Sequence, residues 1–513
     1  MDSFLRRIRA AHYIDWPAAG LLAALLVLLV GRVGTPVLHV WDEARLAVSA
    51  AEMLRSGDWL VVRYEGQPDL WSPKPPLLIW LQAASLHWLG YSTWATRLPS
   101  VLAALGTAWC IYRFGRYTLG SRFTGIFAAL ILATSPGFNG THVARYGDYD
   151  ALLTLGLTAA ALHWYRYAQQ RQPGQLWRGA GWLALALLTK SAAAVLLLPA
   201  VGLALLLDPA GRWVFGQWRT YGAVAAAFGP LALFYGLREQ AAPGYLAAIW
   251  LSEWYGRLRL QLAATYFPWW TYLQRLFFPG LLTWSWLLPV GGWLGVSAAA
   301  MATPTRRFAP FASVYIVVFL VILSAARTRL AWYSAPVYPM AALLCALGLM
   351  QLTRQALRAW RWPRPVVAGL LVLALGVPAG VLLRHEWGRW EAEKADASLW
   401  YGYQLPHVLA LRPRLRTFTI LAEHRYQAPL LFYVASLRQQ GIQAVVLTTL
   451  DADLRHFQPG QVLLVSSAAL QRSLHQRYRT QALPFAGPGA LLRILGRHPE
   501  TEDTPTAGNR QYR

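Results

Sequence analysis

Long apolar runs dominate the chain and alternate with short polar segments. The first is Pro17–Val30; others lie near 97–115, 123–138, 151–168, 179–207, 221–237, 279–300, 309–325, 333–352 and 365–384. Uninterrupted runs of this kind read as helices that cross a bilayer, since about 20 apolar residues span the hydrocarbon. No small-residue cleavage site cleanly follows Pro17–Val30, so it is expected to be the first span and not a leader. Residues 179–207 are ambiguous. As one helix they rise only ~43 Å, while two full spans need ~40 residues. Two short helices hinged near Lys190-Ser191 are expected, because that parity puts Arg212/Arg219, Arg306/Arg307 and Arg354/Arg358/Arg361/Arg364 on the same inner side as the basic stretch Arg6-Arg7-Ile8-Arg9. About eleven spans result, with the polar loops 35–96 and 238–275 outside.

Beyond residue 384 the pattern changes. Arg416–Ala422, Ala444–Thr448 and Gln461–Ser466 have the composition of short strands, and Pro429–Gln440 and Ala468–Arg479 that of helices. The expected organisation is a membrane domain over 1–384, a small extracytoplasmic α/β domain over 385–498, and a disordered polar tail over 499–513.

Composition sharpens this reading. Of 513 residues, 56% are hydrophobic and 14% charged, against about 25% charged in soluble domains. The formal net charge of +24 is an arginine effect: Lys occurs only at 74, 190 and 394, so 47 − 3 = 44 basic residues are Arg. Through residue 390 most of them cluster between apolar runs, which is the signature of cytoplasmic loops and anionic lipid and not of a nucleic-acid stripe. Cys110 and Cys345 are the only cysteines, which excludes a disulfide framework or a Cys-based zinc site. No phosphate-binding glycine loop and no His pair at ligand spacing occur, so no nucleotide cofactor is expected, and a divalent metal is left open.

Acids are scarce, so their positions carry information. Of the 13 Asp and Glu in 1–384, eight fall in two outer segments: Asp42, Glu43, Glu52, Asp58, Glu65, Asp69, Asp148 and Asp150. Ionisable groups at membrane depth are costly and mostly functional. In Trp41-Asp42-Glu43-Ala44-Arg45, Asp42 and Arg45 share a helix face, as a catalytic carboxylate held by an Arg or as acids at a helix N-terminus. In Trp71-Ser72-Pro73-Lys74-Pro75-Pro76, prolines stiffen a loop that can present Lys74 to a phosphate or leave it solvated at the interface. In Arg145-Tyr146-Gly147-Asp148-Tyr149-Asp150, one carboxylate can cap the helix while the other does chemistry. Arg327, Arg329 and Tyr333 form a fourth group, suited to phosphate or to snorkelling. The loop 238–275 adds Glu253 and nine aromatics between Tyr245 and Tyr272, fit for sugar contact or for an interfacial belt. Lys190 reads as a hinge or charge anchor.

In this order the motifs resemble membrane glycosyltransferases of the GT-C class, in particular the bacterial lipid A aminoarabinose transferases and the dolichyl-phosphate-mannose protein mannosyltransferases. The resemblance rests on Asp42-Glu43, Gly57-Asp58-Trp59, Lys74-Pro75-Pro76, Arg97-Leu98-Pro99, Arg145 with Asp148/Asp150, Leu188-Thr189-Lys190, and Tyr333 with Pro336 and Tyr338-Pro339. It implies a polytopic α-helical GT-C fold with about 11–13 spanning helices, and a C-terminal domain like that of aminoarabinose transferases. It also implies inverting transfer of a sugar from a polyprenyl-phosphate donor to a glycolipid or protein acceptor at the outer face of the inner membrane. Membrane lipids are expected partners and nucleic acid is not. Carried onto this sequence, Asp42 activates or orients the acceptor, with Asp150 and then Asp148 in support. Lys74, Arg329 and Arg145 meet the donor phosphate, and Tyr333, Glu43, Arg45 and Glu65 line the site. Two departures stand out. Arg329 replaces a common Lys, and Ser252-Glu253-Trp254 stands where many relatives carry His, which argues against a His-containing metal site. A transporter or flippase is the competing reading, disfavoured by acids at one face and by the lack of a repeat. A structural scaffold would leave Lys74 and the acid cluster unexplained.

Overall fold

The structure, a computed structural model, describes residues 16–260, 267–297, 303–394, 399, 401–405, 415–422, 427–448, 456–485 and 489–498. The basic stretch 6–9 and the expected disordered tail 499–513 lie outside the described residues.

The chain is a multi-pass helical membrane protein. Among the described residues, Trp218–Ala241, Pro304–Ala325, Ala331–Arg358 and Arg364–Arg389 are each long and apolar enough to cross a bilayer. Thr93–Tyr117 and Tyr149–Gln170 are as long but carry Thr96, Arg97, Ser100, Asp150, Thr154 and Thr158, all buried. Polar side chains avoid the lipid face of a bundle, so these two helices form part of its interior.

The expected hinge is present. Pro173–Val195 runs helically except at Lys190 (φ −153°, ψ 79°), and Leu197–Leu207 then departs at 76°. The pair bends and does not fold back as a hairpin. The expected span 279–300 is broken: Thr271–Arg275 passes into a wide π-turn, Leu276–Leu281, and regular helix resumes only at Leu287–Ser297. Pro279 cannot donate to a helical ladder, and Gly280 packs so tightly on the Arg275 carbonyl and the Tyr338 hydroxyl that a Cβ has no room. The polar stretch 35–96 holds two helices, Asp42–Ser56 and Leu77–Leu89, and a hairpin of β1 (Arg63–Tyr64) and β2 (Gln67–Pro68).

The C-terminal region forms one five-stranded sheet of β3 (Thr417–Ala422), β4 (Gln443–Thr448), β5 (Val462–Val465), β6 (Tyr478–Leu483) and β7 (Ala490–Arg497), in the order β4-β3-β5-β7-β6. The first three run parallel and β7 and β6 antiparallel. Alternate residues of β3 and β5 face two cores: Ile420 and Leu464 pack with the helix Ala428–Gln439, while Leu421 and Val465 pack with Ala468–Arg477. Strands β6 and β7 were not expected. The expected helix 468–479 ends at Arg477, and the helix Arg364–Lys394 continues past the expected domain start at 385.

Candidate active site

The segment Val33–Trp41, which leads into the helix Asp42–Ser56, has no regular ladder, so side chains satisfy its backbone. Arg97 donates to the carbonyls of Val33 (2.8 Å), Pro36 (2.9 Å) and Val37 (2.8 Å) and pairs with Glu43 through Nε (2.6 Å) and Nη2 (2.8 Å). Glu43 also accepts from the amides of His39 (2.8 Å) and Gly147 (2.7 Å). Burial alone would raise its carboxyl, but the Arg97 charge and these hydrogen bonds hold it below the ordinary value. Glu43 thus ties the acidic helix to the loop before Asp148. That is a framework role, unlike the lining role expected of it.

The tie brings three ligating groups together. Asp42, His142 and Asp148 each offer an atom within 4.8 Å of the others. His142 Nδ1 lies 2.5 Å from Asp148 Oδ2, and its ring stacks on Trp332 at 3.8 Å. Asp148 Oδ1 accepts from the Tyr149 amide at 2.6 Å and so caps the helix Tyr149–Gln170. Burial opposes protonation of His142, but the hydrogen bond and charge of Asp148 outweigh it and raise its pKa. Its backbone is left-handed (φ 68°), a conformation that non-glycine residues keep only when their surroundings impose it.

Two residues on, Asp150 receives both bonds of Lys190 (3.0 and 3.1 Å). The non-helical backbone at Lys190 turns the ammonium into the bundle, where it also lies 4.6 Å over the Tyr333 ring. Asp150, Lys190, Glu253, Arg257 and Tyr333 line a cavity of about 150 Å³, walled on its apolar side by Leu153, Val195, Phe319, Ile322 and Leu323. At its edge Glu253 sits between Lys74 (3.5 Å) and Arg257 (3.2 Å), and Arg257 also bonds the Tyr333 hydroxyl. Burial would raise the Glu253 carboxyl, yet Lys74 and Arg257 bring it down to about 2. Lys74 also donates to Ser72 Oγ (3.1 Å) and lies 5.3 Å over the Tyr149 ring.

A second cavity of about 610 Å³ opens behind the His142–Trp332 stack, with His39, Arg275, His385, Glu386 and Arg389 in its lining. The adjacent residues Trp332 and Tyr333 therefore face different cavities across one 3₁₀ turn.

Of the expected residues, Asp150 and Tyr333 line the first cavity, Lys74 pairs with Glu253 of that lining, and Asp42 and Asp148 cluster with His142 of the second. Four expected residues lie elsewhere. Arg45 forks onto Asp69 (2.9 and 2.9 Å). Arg145 donates to the carbonyls of Leu28 (2.8 Å) and Gly31 (2.6 Å), and Arg329 to those of Ser324 (3.1 Å) and Phe267 (2.6 Å). Arg145 and Arg329 thus brace backbone carbonyls. Glu65 lies in the cleft between the acidic helix and the C-terminal helix Ala428–Gln439. Conversely, Arg257 and His142 were missed and Glu253 was not assigned. Only the acidity of Glu253 in an Arg-rich chain gave a signal. A histidine does stand beside the acids, but it is His142, from the loop before Asp148, and not a residue of the large loop 238–275.

This bundle, with its acid-and-cation centre and appended sheet, is the GT-C fold of membrane glycosyltransferases. The solved structure of ArnT from Cupriavidus metallidurans bound to undecaprenyl phosphate superimposes with a TM-score of 0.67 over 93% of this chain and 97% of that one, at 16% identity. The Archaeoglobus fulgidus oligosaccharyltransferase in the apo form gives 0.52 over 86% and 65%, at 12% identity. Residues 73–235 match the family described as dolichyl-phosphate-mannose-protein mannosyltransferase. The undecaprenyl phosphate-α-4-amino-4-deoxy-L-arabinose arabinosyl transferase of Edwardsiella ictaluri is 28% identical over 70% of this chain and 64% of its own length. The corresponding enzyme 1 of Sodalis glossinidius is 30% identical over 64% and 58%. The chain thus resembles aminoarabinose transferases of the GT-C class, and the two arabinosyl transferase sequence matches span less than two thirds of each enzyme's length.

Proposed function

We propose that this protein transfers a sugar from a polyprenyl-phosphate donor to an acceptor at the outer face of the inner membrane, with inversion at the anomeric carbon. The observation that carries the reading is the Asp42–His142–Asp148 cluster, whose His142 lines one cavity, while Asp150, two residues beyond Asp148, lines the other together with Lys190, Glu253 and Arg257. Lys74 and Arg257 take the donor phosphate, and the apolar wall Leu153–Val195–Phe319–Leu323 receives the start of the prenyl chain. The acceptor enters from behind His142. Its oxygen attacks the anomeric carbon as the bond from that carbon to the phosphate oxygen breaks. The phosphate leaves with the electron pair, stabilised by cations already in place. A hydroxyl acceptor passes its proton to Asp42, whereas a phosphate acceptor has none to give and Asp42 then orients it. Asp150 and Lys190 hold the helix ends that carry Asp148 and the cavity wall. Entry from opposite sides of the Trp332–Tyr333 turn supports single displacement, and hence inversion.

The test is transfer of labelled sugar from undecaprenyl phosphate to envelope glycolipid or protein by purified protein, without an ion gradient. Asp42→Asn is expected to lower kcat by roughly 10²–10⁴-fold, and Lys74→Ala to raise KM for the donor. Wild-type rates in both at equal folding would refute the assignment, and transport without transfer would favour the carrier reading.

The 4.8 Å cluster supports a second element. Two carboxylates and an imidazole suit a borderline divalent cation such as Mn²⁺ or Zn²⁺, which Asp42, His142 and Asp148 would hold. Bound there, it would lend positive charge to the acceptor or the sugar. Mn²⁺ binding read by paramagnetic resonance, lost in His142→Ala, tests this apart from turnover.

A further inference from the structure

The backbone just before Asp42 is held at three consecutive residues by three different side chains. The carbonyl of Val37 accepts from Arg97 (2.8 Å), the amide of Leu38 donates to the Tyr433 hydroxyl (2.9 Å), and the amide of His39 donates to Glu43 (2.8 Å). Arg97 belongs to a bundle helix and Glu43 to the acidic helix itself. Tyr433 comes from the C-terminal domain, almost 400 residues along the chain. We infer that this domain is part of the catalytic apparatus: Tyr433 is a positioning residue that fixes the Leu38 amide and, through it, the place of Asp42.

Three observations support this. First, the hydroxyl is specific. Tyr433 is partly buried and its oxygen meets only the Leu38 amide and, at 3.4 Å, Thr93 Oγ1 among the described hydrogen bonds. Second, the surroundings are built for close approach. A Cβ on Gly402 would come within 2.7 Å of both the Tyr433 ring and the Val37 side chain, so that glycine lets the domain, the tyrosine and the segment converge. Tyr401, beside it, donates to the Leu421 carbonyl (2.8 Å) of β3 and anchors the approach to the sheet. Third, the apolar contact is continuous. Ala428 and Phe432 of the C-terminal helix share one buried cluster with Leu38, Ala44, Ala47 and Tyr149, the ring beneath Lys74. The helix Asp42–Ser56 has no side-chain N-cap, so its first turn depends on how the preceding segment is held.

The inference rests on the transfer reading, and its test separates the two. Tyr433→Phe keeps the ring and its packing and removes only the oxygen. Ser436→Ala breaks a second tie between the same helix and the membrane domain, Ser436 Oγ to the Tyr91 carbonyl (2.9 Å), away from the segment 33–41. In detergent, Tyr433→Phe is expected to lower kcat about tenfold, since small misplacement of a reacting group is costly, with donor KM within about twofold, because Lys74 and Arg257 are not on this segment. Ser436→Ala is expected to match wild type. Hydrogen exchange of the peptide covering 33–41, measured without substrate, is expected to be at least about tenfold faster in Tyr433→Phe than in Ser436→Ala. Equal exchange in the two variants overturns the inference, whether or not the protein turns over. So does a loss of activity of the same size in both, which would make the domain a general prop. An inactive wild type with the exchange difference intact would refute the transfer reading and leave the positioning role standing.

Discussion

Glu253 is the group whose replacement says most about the donor pocket. Its carboxylate lies 3.5 Å from Lys74 and 3.2 Å from Arg257 and holds the two cations that are assigned to the phosphate. At an effective dielectric constant of about 20, one such contact is worth about 5 kcal/mol before desolvation. A phosphate drawn to both cations must share them with Glu253 and would stand roughly 6 Å from it, where two unit charges of like sign repel by about 3 kcal/mol at the same dielectric. Relaxation and side-chain movement cut that figure to about 1–2 kcal/mol, or about 5- to 30-fold in affinity. Glu253→Gln removes the charge that faces Lys74 and keeps a carbonyl that still accepts from Arg257. It is therefore expected to bind undecaprenyl phosphate about tenfold more tightly than wild type, and to lower kcat if release of that product limits turnover. Competition binding with labelled undecaprenyl phosphate measures the first effect and single- against multiple-turnover transfer the second. Lys74→Ala serves as the control that must weaken binding. If Glu253→Gln binds the lipid phosphate no better than wild type, the carboxylate is not competing for these cations and the donor assignment loses its electrostatic basis.

Two further outcomes follow from the same charges. Arg97→Met leaves Glu43 buried without its cation and is expected to destabilise the protein by about 3–5 kcal/mol, seen as a lower Tm in detergent; Glu43→Gln with Arg97→Met should recover part of that loss, and no recovery would mean that the ties of Arg97 to the 33–37 carbonyls, not the ion pair, carry its effect. The depressed carboxyl of Glu253 contributes stability above its ordinary pKa of 4.5 and loses it as the pH falls toward about 2, a contribution of about 3 kcal/mol by linkage. The Tm of Glu253→Gln should accordingly vary less with pH between 4.5 and 2 than that of wild type, and parallel profiles would contradict the pairing.

What the sequence revealed and what it hid follow from one difference, whether a residue is rare in its setting. Asp42, Asp148, Asp150 and Lys74 were legible because a carboxylate or an ammonium is an exception in an apolar, arginine-rich chain. The same rarity marked Lys190, and there the helix does break. Arg257 was illegible for the opposite reason. It is one of 44 arginines, and nothing local separates it from Arg145 and Arg329, which turn out to brace carbonyls. His142 carries no ligand spacing, because its partner Asp42 lies 100 residues earlier and meets it only through the Arg97–Glu43–Gly147 tie. Arg45 faced the right way on its helix, yet Asp69 in the next loop presents two oxygens to its fork, a bidentate geometry that outweighs sequence proximity.

The same logic applies to the sheet. Strand β7, Ala-Leu-Leu-Arg-Ile-Leu-Gly-Arg, is a short apolar run that periodicity cannot assign to strand or helix, and β6 continues the polar composition of the preceding helix, so only pairing with β7 defines it. Tyr433 lay in one of the two stretches of this domain that read as helices and are helices, but its function was invisible there, since a tyrosine on such a helix is ordinary until the amide it accepts from is known. The residues that sequence reading finds here are those whose cost is local, a charge in hydrocarbon or a proline in a loop. Those it misses are paid for across the fold, where a common side chain becomes singular through the backbone group it holds. On that view the catalytic centre is a property of the loop 33–41 as much as of Asp42, and variation along that loop should alter rate before it alters donor affinity.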